Sequence, residues 1–198
     1  MSHKGLVVKY SAKFRLWHWL NAFVVLGLLG TVFLRKTFLS WRTNSEILMS
    51  ELSDIDIEIT AEQAKVLAKA IRAGMWEWHI ILGYALVFLI IYRIYLHFTN
   101  AVNKESFSSL SLHKKAVQVL YYLFYATLFF MAVSGVFLEF YKDLDVSKEF
   151  AHTIKEIHEL VFNFILFFTV AHIGGVVIAE LRDEKGLISN MISGDKKI

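Results

Sequence analysis

The chain of 198 residues contains no cysteine and no proline. Without cysteine it can form no disulfide, and it cannot bind an iron–sulfur cluster, a thiolate zinc site or a covalently attached c-type haem. Charge is present in an ordinary amount, 21 Lys and Arg against 18 Asp and Glu, but long segments of the chain almost lack it. The length favours a single domain over 1–198.

Four segments are almost free of charge: 16–34, 78–98, 116–138 and 160–179. Arg93 is the one charged side chain in them. Each segment has the length of about 20 residues that an apolar helix needs to cross the hydrocarbon core of a bilayer. None of the four shows the polar face of a helix in a soluble bundle. The sequence therefore predicts an all-α fold, a four-helix transmembrane bundle in contact with lipid, with no nucleic-acid partner.

The distribution of basic residues predicts that both termini lie in the cytoplasm. With the N-terminus inside, the inner segments 1–15, 99–115 and 180–198 carry 11 Lys and Arg in 51 residues. The outer segments 35–77 and 139–159 carry 9 in 64, although Arg35 and Lys36 directly follow the first span. The first apolar segment has full spanning length and no small-residue cleavage site after it. We therefore expect it to remain as a span rather than be removed as a signal peptide.

The external loop at about 35–77 is too long for a simple connector. Its middle, 54–60, alternates polar and apolar residues, which predicts an extended piece. Thr60 and Gln63 form a sequence pattern typical of a capping box, which predicts a short helix ending near Ala73. This segment could lie on the bilayer or on a partner, or it could form a packed lid over the bundle.

Four of the eight histidines lie within or at the edge of the predicted spans: His18, His79, His158 and His172. Ionisable groups inside a membrane are costly and are usually functional. The spacing of His158 and His172 on the fourth span puts them on one helix face, about 21 Å apart along its axis. That distance is too large for one metal ion or for a proton relay. Two stacked cofactors could use it.

The direction of each span gives the depth of these histidines. His18 lies at the inner end of the first span and His79 at the outer end of the second, so His18 pairs with His172 and His79 with His158. Each pair offers two imidazoles to a planar macrocycle between helices. Haem b suits this arrangement because it binds non-covalently through axial histidine. Zinc or copper would need three or four converging ligands. The sequence therefore predicts two haem b groups, one near each membrane face.

Other residues could support these cofactors. Gly83 follows His79 by one helical turn and would let a porphyrin edge approach the backbone. Arg93 lies further along the same span, as far from His79 in sequence as His172 lies from His158. It would therefore point to the inner haem, where it could pair with a propionate. The alternative for Arg93 is that it extends to the nearby inner interface.

The remaining polar groups near the inner face are candidates for a quinone site. Such a site needs hydrogen-bond donors near a haem edge, and His113, Tyr92 and Tyr95 meet this need. His97 and His113 are expected to be interfacial rather than ligands. His3 and His152 are expected in loops.

Several motifs give the chain a family resemblance. They are Arg15-Leu-Trp-His18-Trp-Leu-Asn-Ala22, His79-Ile-Ile-Leu-Gly83, Tyr92-Arg93, Ser134-Gly135, the pair His158 and His172, and the tail 182–194. At these residues the chain resembles the bacterial di-haem cytochrome b superfamily. It is most similar to the cytochrome b subunit of membrane-bound nickel–iron hydrogenases, with the b-561 type as a near relative. The chain departs from the family pattern at Met131-Ala-Val, where members often have proline, and in the loop 35–77.

The resemblance implies a function. It implies that the four histidines ligate two haems b, and that the protein passes electrons between a periplasmic, hydrogenase-like partner and quinone across the bacterial inner membrane. An electron-transfer subunit is then expected rather than a stand-alone enzyme. One alternative is a free-standing b-561 type superoxide/quinone oxidoreductase, which would need a basic outer face, whereas the outer segments carry 13 acids against 9 bases. The other is a non-redox four-span membrane protein with structural histidines.

Overall fold

A computed structural model describes residues 10–99, 108, 110–182 and 185–194. These residues form helices and contain no strand. The helices are α1 (Ala12–Lys36), α2 (Trp41–Ser53), α3 (Ala61–Phe98), α4 (Leu112–Phe140), α5 (Lys148–Arg182) and α6 (Leu187–Ile192). The predicted all-α fold is confirmed.

Four of these helices, α1, α3, α4 and α5, are long and apolar enough to cross a membrane. They contain the four segments predicted from the absence of charge. Large apolar side chains such as Phe23, Phe88 and Phe167 are exposed on them (69%, 68% and 71%). A soluble monomer rarely exposes so much apolar surface, whereas lipid covers it without cost. The chain is a multi-pass membrane protein.

The segment 35–77 differs from its prediction. Helix α2 occupies its first part, followed by a turn at 54–56, in which Asp56 has a φ of 60°, and an irregular stretch at 57–60. The extended piece therefore forms no strand in the described chain. The capping box is confirmed: the Thr60 backbone N–H donates to Gln63 Oε1 at 2.8 Å, and the Gln63 N–H donates to Thr60 Oγ1 at 3.2 Å.

The predicted helix end near Ala73 is wrong, because α3 continues without a break to Phe98. No proline interrupts it, and a single glycine such as Gly74 costs only about 1 kcal/mol in a helix interior. With 38 residues α3 is about 57 Å long, nearly twice the hydrocarbon thickness of a bilayer. Its first part, 61–77, precedes the apolar segment that spans.

The chain divides into two compact units, one of residues up to 22 together with 86 onward, the other of residues 23–85. In the first unit α4 packs on α5, and α5 on α6. There Trp17 Nε1 donates to the carbonyl of Leu89 at 2.8 Å, and Trp19 Nε1 donates to that of Met191 at 3.1 Å. These bonds tie the start of α1 to the last part of α3 and to α6.

In the second unit, α1 and α3 approach closely where α1 has a glycine. A Cβ atom at Gly27 would lie 3.0 Å from Leu82 Cδ1, tighter than ordinary contact. The missing side chain therefore allows the two helices to pack at this point.

Candidate functional site

The structure separates the predicted ligand histidines from the other described ones. The four predicted ligands are half-buried: His18, His79, His158 and His172. His97, His113 and His152 are exposed. His152 lies in α5 rather than in the predicted loop, and His3 lies outside the described residues. The half-buried set is therefore the set that the sequence selected.

His18 on α1 and His172 on α5 face each other in the first unit. Their ring centroids are 6.2 Å apart and their planes are inclined by 62°. Two imidazoles bonded to opposite sides of one metal ion at roughly 2 Å each have their bonding nitrogens roughly 4 Å apart. Because the ring centres lie further out than the nitrogens, a centroid separation of 6.2 Å is compatible with one metal ion between the two rings. His18 and His172 could therefore bind one metal ion between them.

Aromatic side chains pack around His172. Phe168 lies parallel to its ring, with centroids 5.9 Å apart and an interplanar angle of 6°. Tyr121 contacts it edge-on from α4, and the Tyr121 hydroxyl lies 3.2 Å from His172 Nδ1. Phe124 stacks on Phe168 at 3.9 Å. This packing restricts the imidazole to one orientation.

His79 on α3 is held within the second unit. Its Nδ1 lies 2.7 Å from Thr31 Oγ1 on α1. The Trp76 indole stacks on its ring at 5.0 Å with an angle of 5°, and the Arg35 guanidinium lies over the same indole at 5.4 Å. A hydroxyl on one side and an indole on the other fix this imidazole.

His158 on α5 is held in the first unit by α4. Its Nδ1 lies 2.7 Å from the buried Ser134 Oγ. A Cβ atom at the adjacent Gly135 would lie 3.6 Å from His158 Cε1, so the ring passes close to the α4 backbone. The Ser134-Gly135 motif thus positions the His158 imidazole. Ser134 makes a polar contact with the ring, and Gly135 lets the ring lie close to the α4 backbone.

Arg93 lies in a cage of three aromatic rings in the first unit. Its guanidinium carbon is 5.2 Å from the ring centroid of Phe14 and 5.1 Å from those of Trp17 and Tyr125. Cation–π contacts of this kind offset part of the cost of a charge inside a span. The Nε atom is buried and has no hydrogen-bond partner within the described chain. A buried N–H donor without an acceptor fits an anionic group such as a propionate.

Gly83 faces open space, since a Cβ atom added there would meet no described atom within 4 Å. The same holds at Gly30, Gly74, Gly174 and Gly175, so openness alone does not single Gly83 out. The backbone at Gly83 is open to a flat group but makes no contact that identifies one.

Two of the three quinone candidates lie together. The rings of Tyr92 and Tyr95 stack at 5.9 Å with an angle of 19° on α3, and Tyr95 is half exposed (51%). His113 is exposed at the start of α4. No hydrogen bond or ring contact joins it to either tyrosine in the part of the chain that the structure describes.

The donor set suits two-ligand coordination. Within the described ranges no group of three or more His, Cys, Asp or Glu could hold a metal ion. Haem iron needs only two axial ligands from the protein, because the porphyrin supplies the other four. The facing imidazoles, the hydroxyls beside them and the caged arginine fit haem b.

Sequence reasoning missed the residues around the histidines. It gives no role to Thr31 and Tyr121, and Ser134 enters only as part of a motif. Trp17 and Trp76 lie near span ends, where aromatic residues are expected at the membrane interface. A Ser or Thr inside an apolar segment is the sequence signal that could identify a histidine partner. The signal is weak, because Ser and Thr in helices also form hydrogen bonds to their own helix.

Comparison with known protein families identifies the chain over almost its whole length. A family model described as prokaryotic cytochrome b561 matches residues 9–194, almost the whole chain. No curated protein and no solved structure matches.

Proposed function

Because the chain belongs to the prokaryotic cytochrome b561 family, we propose that it transfers electrons across the bacterial inner membrane between a periplasmic redox partner and the quinone pool, through two haem b groups. The observation that carries this proposal is the facing pair His18 and His172, half-buried on two spanning helices with ring centres 6.2 Å apart. The family's b-type cytochrome character and the four apolar helices support it.

The ligands are assigned by pairs. His18 and His172 ligate the inner haem. His79 and His158 ligate the outer haem, an assignment that rests on their depth in the predicted spans and on the same hydroxyl contact at each Nδ1. Bound haem b supplies a one-electron ferric/ferrous couple.

The protein's own residues keep the ligand geometry constant. The imidazoles are held by hydroxyls and by stacked rings, so little has to move when the charge at the site changes. Arg93 presents a positive charge and a buried N–H donor to the inner site. Both features favour binding of a propionate there.

The two faces of the membrane meet different partners. The outer segments carry more acids than bases, 13 against 9, which favours a protein partner, hydrogenase-like, over steering of a small anion. On the inner side, the Tyr92 and Tyr95 hydroxyls and the His113 ring supply donors for a quinone carbonyl. The protein then acts as the electron-transfer subunit of a complex.

Haem content tests the proposal. The purified protein is expected to show b-type bands in a reduced-minus-oxidised spectrum and two haems per chain. His172→Ala removes one ligand of the inner pair and is expected to leave one haem. His97→Ala, which changes an exposed histidine, is the matched control and should retain two. A wild-type protein without b-type bands would refute the proposed function.

A further inference from the structure

The proposed function leaves open the direction of the hydrogen bond at two histidines that lie on different helices. The Nδ1 atom of His79 on α3 lies 2.7 Å from a hydroxyl on α1, that of Thr31. The Nδ1 atom of His158 on α5 lies 2.7 Å from a hydroxyl on α4, that of Ser134. Each contact lies within one compact unit, and each hydroxyl comes from a neighbouring helix.

Each hydroxyl has already donated its only proton. Thr31 Oγ1 lies 2.7 Å from the carbonyl oxygen of Leu28, and Ser134 Oγ lies 2.7 Å from that of Phe130. A carbonyl oxygen can only accept, so the hydroxyl proton points to the carbonyl of its own helix. The hydroxyl oxygen then offers a lone pair to the imidazole.

The protonation of both imidazoles follows from this. Nδ1 carries the proton and donates to the hydroxyl, which puts the ring lone pair on Nε2. Nε2 is the ring nitrogen farther from the backbone, so it is the one that would bind the haem iron. The opposite tautomer would place two acceptors within hydrogen-bond distance of each other, with no proton between them.

The inner pair lacks this arrangement. The Tyr121 hydroxyl lies 3.2 Å from His172 Nδ1 and makes no bond to a carbonyl in the described chain, so its proton is available to the imidazole. His18 makes no hydrogen bond through its ring within the described residues. The acceptor contact is therefore a property of His79 and His158.

We infer that Thr31 and Ser134 are positioning residues for the outer haem. They fix the Nδ1–H tautomer of its two ligands and, by accepting that proton's hydrogen bond, make each imidazole a stronger electron donor. A more basic axial ligand favours ferric over ferrous iron. The inference rests on the proposed function, because it presupposes haem at His79 and His158.

A neutral hydroxyl suits this position. A carboxylate would accept the same hydrogen bond but would add a charge inside a span, which is costly. Ser and Thr supply the acceptor without a charge, because their hydroxyl proton is already donated to a backbone carbonyl of their own helix.

Redox potentiometry of the purified holoprotein tests the inference. Thr31→Val keeps the branched shape of the side chain and removes the hydroxyl, and Ser134→Ala does the same for the other ligand. Each variant is expected to retain two haems and to raise the midpoint potential of one of them. A tenfold decrease in the equilibrium preference for ferric over ferrous iron would raise the midpoint potential of a one-electron couple by about 59 mV. Thr31→Ser should restore the wild-type potential.

The control is Thr127→Val. Thr127 is on the same helix as Ser134, and its hydroxyl also donates to its own helix, at Leu123, but makes no hydrogen bond to any histidine among the described residues. Both potentials should be unchanged in this variant. If Thr31→Val loses haem, Ser134→Ala supplies the same test from the other ligand.

Failure of this inference can be distinguished from failure of the proposed function. Two haems in every variant with unchanged potentials would overturn the inference and leave the proposed function intact. A wild-type protein without haem would overturn both. Shifts in the same haem for both variants support the inference together with the pairing of His79 and His158.

Discussion

Arg93 shows how a single charged residue is accommodated within a span. Three aromatic rings lie within 5.2 Å of its guanidinium, and each such contact contributes about 0.5–2 kcal/mol. Trp17 is itself fixed, because its indole N–H donates to Leu89 on α3, the helix that carries Arg93. The cage therefore holds the guanidinium in place before any anion binds.

Removing this charge should change the inner haem. Arg93→Leu is expected to lower the midpoint potential of one haem, because a nearby positive charge favours the ferrous form, which carries one positive charge less. Arg93→Lys keeps the charge and should give a smaller change. Equal potentials in all three proteins by redox titration would mean that Arg93 does not act on a haem.

Gly135 allows a test of how His158 is positioned. Gly135→Ala adds a methyl group 3.6 Å from His158, an ordinary contact, and should retain two haems. Gly135→Leu places a larger side chain against the ring and is expected to displace it, with loss of one haem. Haem content per chain distinguishes the two. Two haems in the leucine variant would show that His158 needs no close approach to α4.

The sequence singles out the candidate ligand histidines but not the residues that contact them. His172 lies within an apolar segment and His158 at its edge, where ionisable residues are rare, and their spacing puts them on one helix face. The hydroxyl partners do not stand out. Thr31 is 48 residues from His79 and Ser134 is 24 from His158, so only the packing of helices brings each pair together.

Among the elements, the spans could be predicted, whereas in the segment between the first two only the capping box at the start of α3 could. A spanning helix is specified by its own composition, because every backbone group bonds within it. Helix α2 has no such signal: none of its 13 residues is buried, and its apolar and polar residues are mixed. The continuity of α3 was also missed, although its capping box was visible in Thr60 and Gln63.

The capping box predicts a local effect. Thr60→Ala removes the acceptor of the Gln63 N–H and should cost about 1 kcal/mol at the start of α3. Amide hydrogen exchange at 61–65 is expected to accelerate, while exchange at 78–98 stays unchanged. Thr60→Ser keeps the hydroxyl and is the control. Unchanged exchange at 61–65 in the alanine variant would show that Gln63 alone starts the helix.

Glu180 plays the corresponding part for α6. Its two carboxylate oxygens accept the backbone N–H groups of Gly186 and Ile188 at 2.8 and 2.9 Å. Glu180→Ala should release α6, and limited proteolysis should then remove the segment after 186 faster than in the wild type. Glu180→Gln keeps one acceptor oxygen and should give an intermediate rate. Identical rates in all three would show that other contacts, such as Trp19 to Met191, hold α6 alone.

For the whole molecule, the four spans of the described chain would put the residues before α1 and those after α5 on one side of the membrane, and the basic residues predict the cytoplasmic side. The absence of cysteine makes this easy to test, since any introduced cysteine is unique. Ser50→Cys on α2 should react with a membrane-impermeant maleimide in intact cells. Lys185→Cys should react only after the membrane is permeabilised. The reverse pattern would invert the orientation.

The uninterrupted length of α3 has a mechanical consequence. Residues 61–77 and His79 belong to one rigid rod, with no proline between them to act as a joint. A partner that rotated α3 through the exposed Val66 or Ile71 would therefore also rotate the His79 imidazole. The contact with Thr31 on α1 opposes that rotation, whereas Trp76 lies on α3 and turns together with His79.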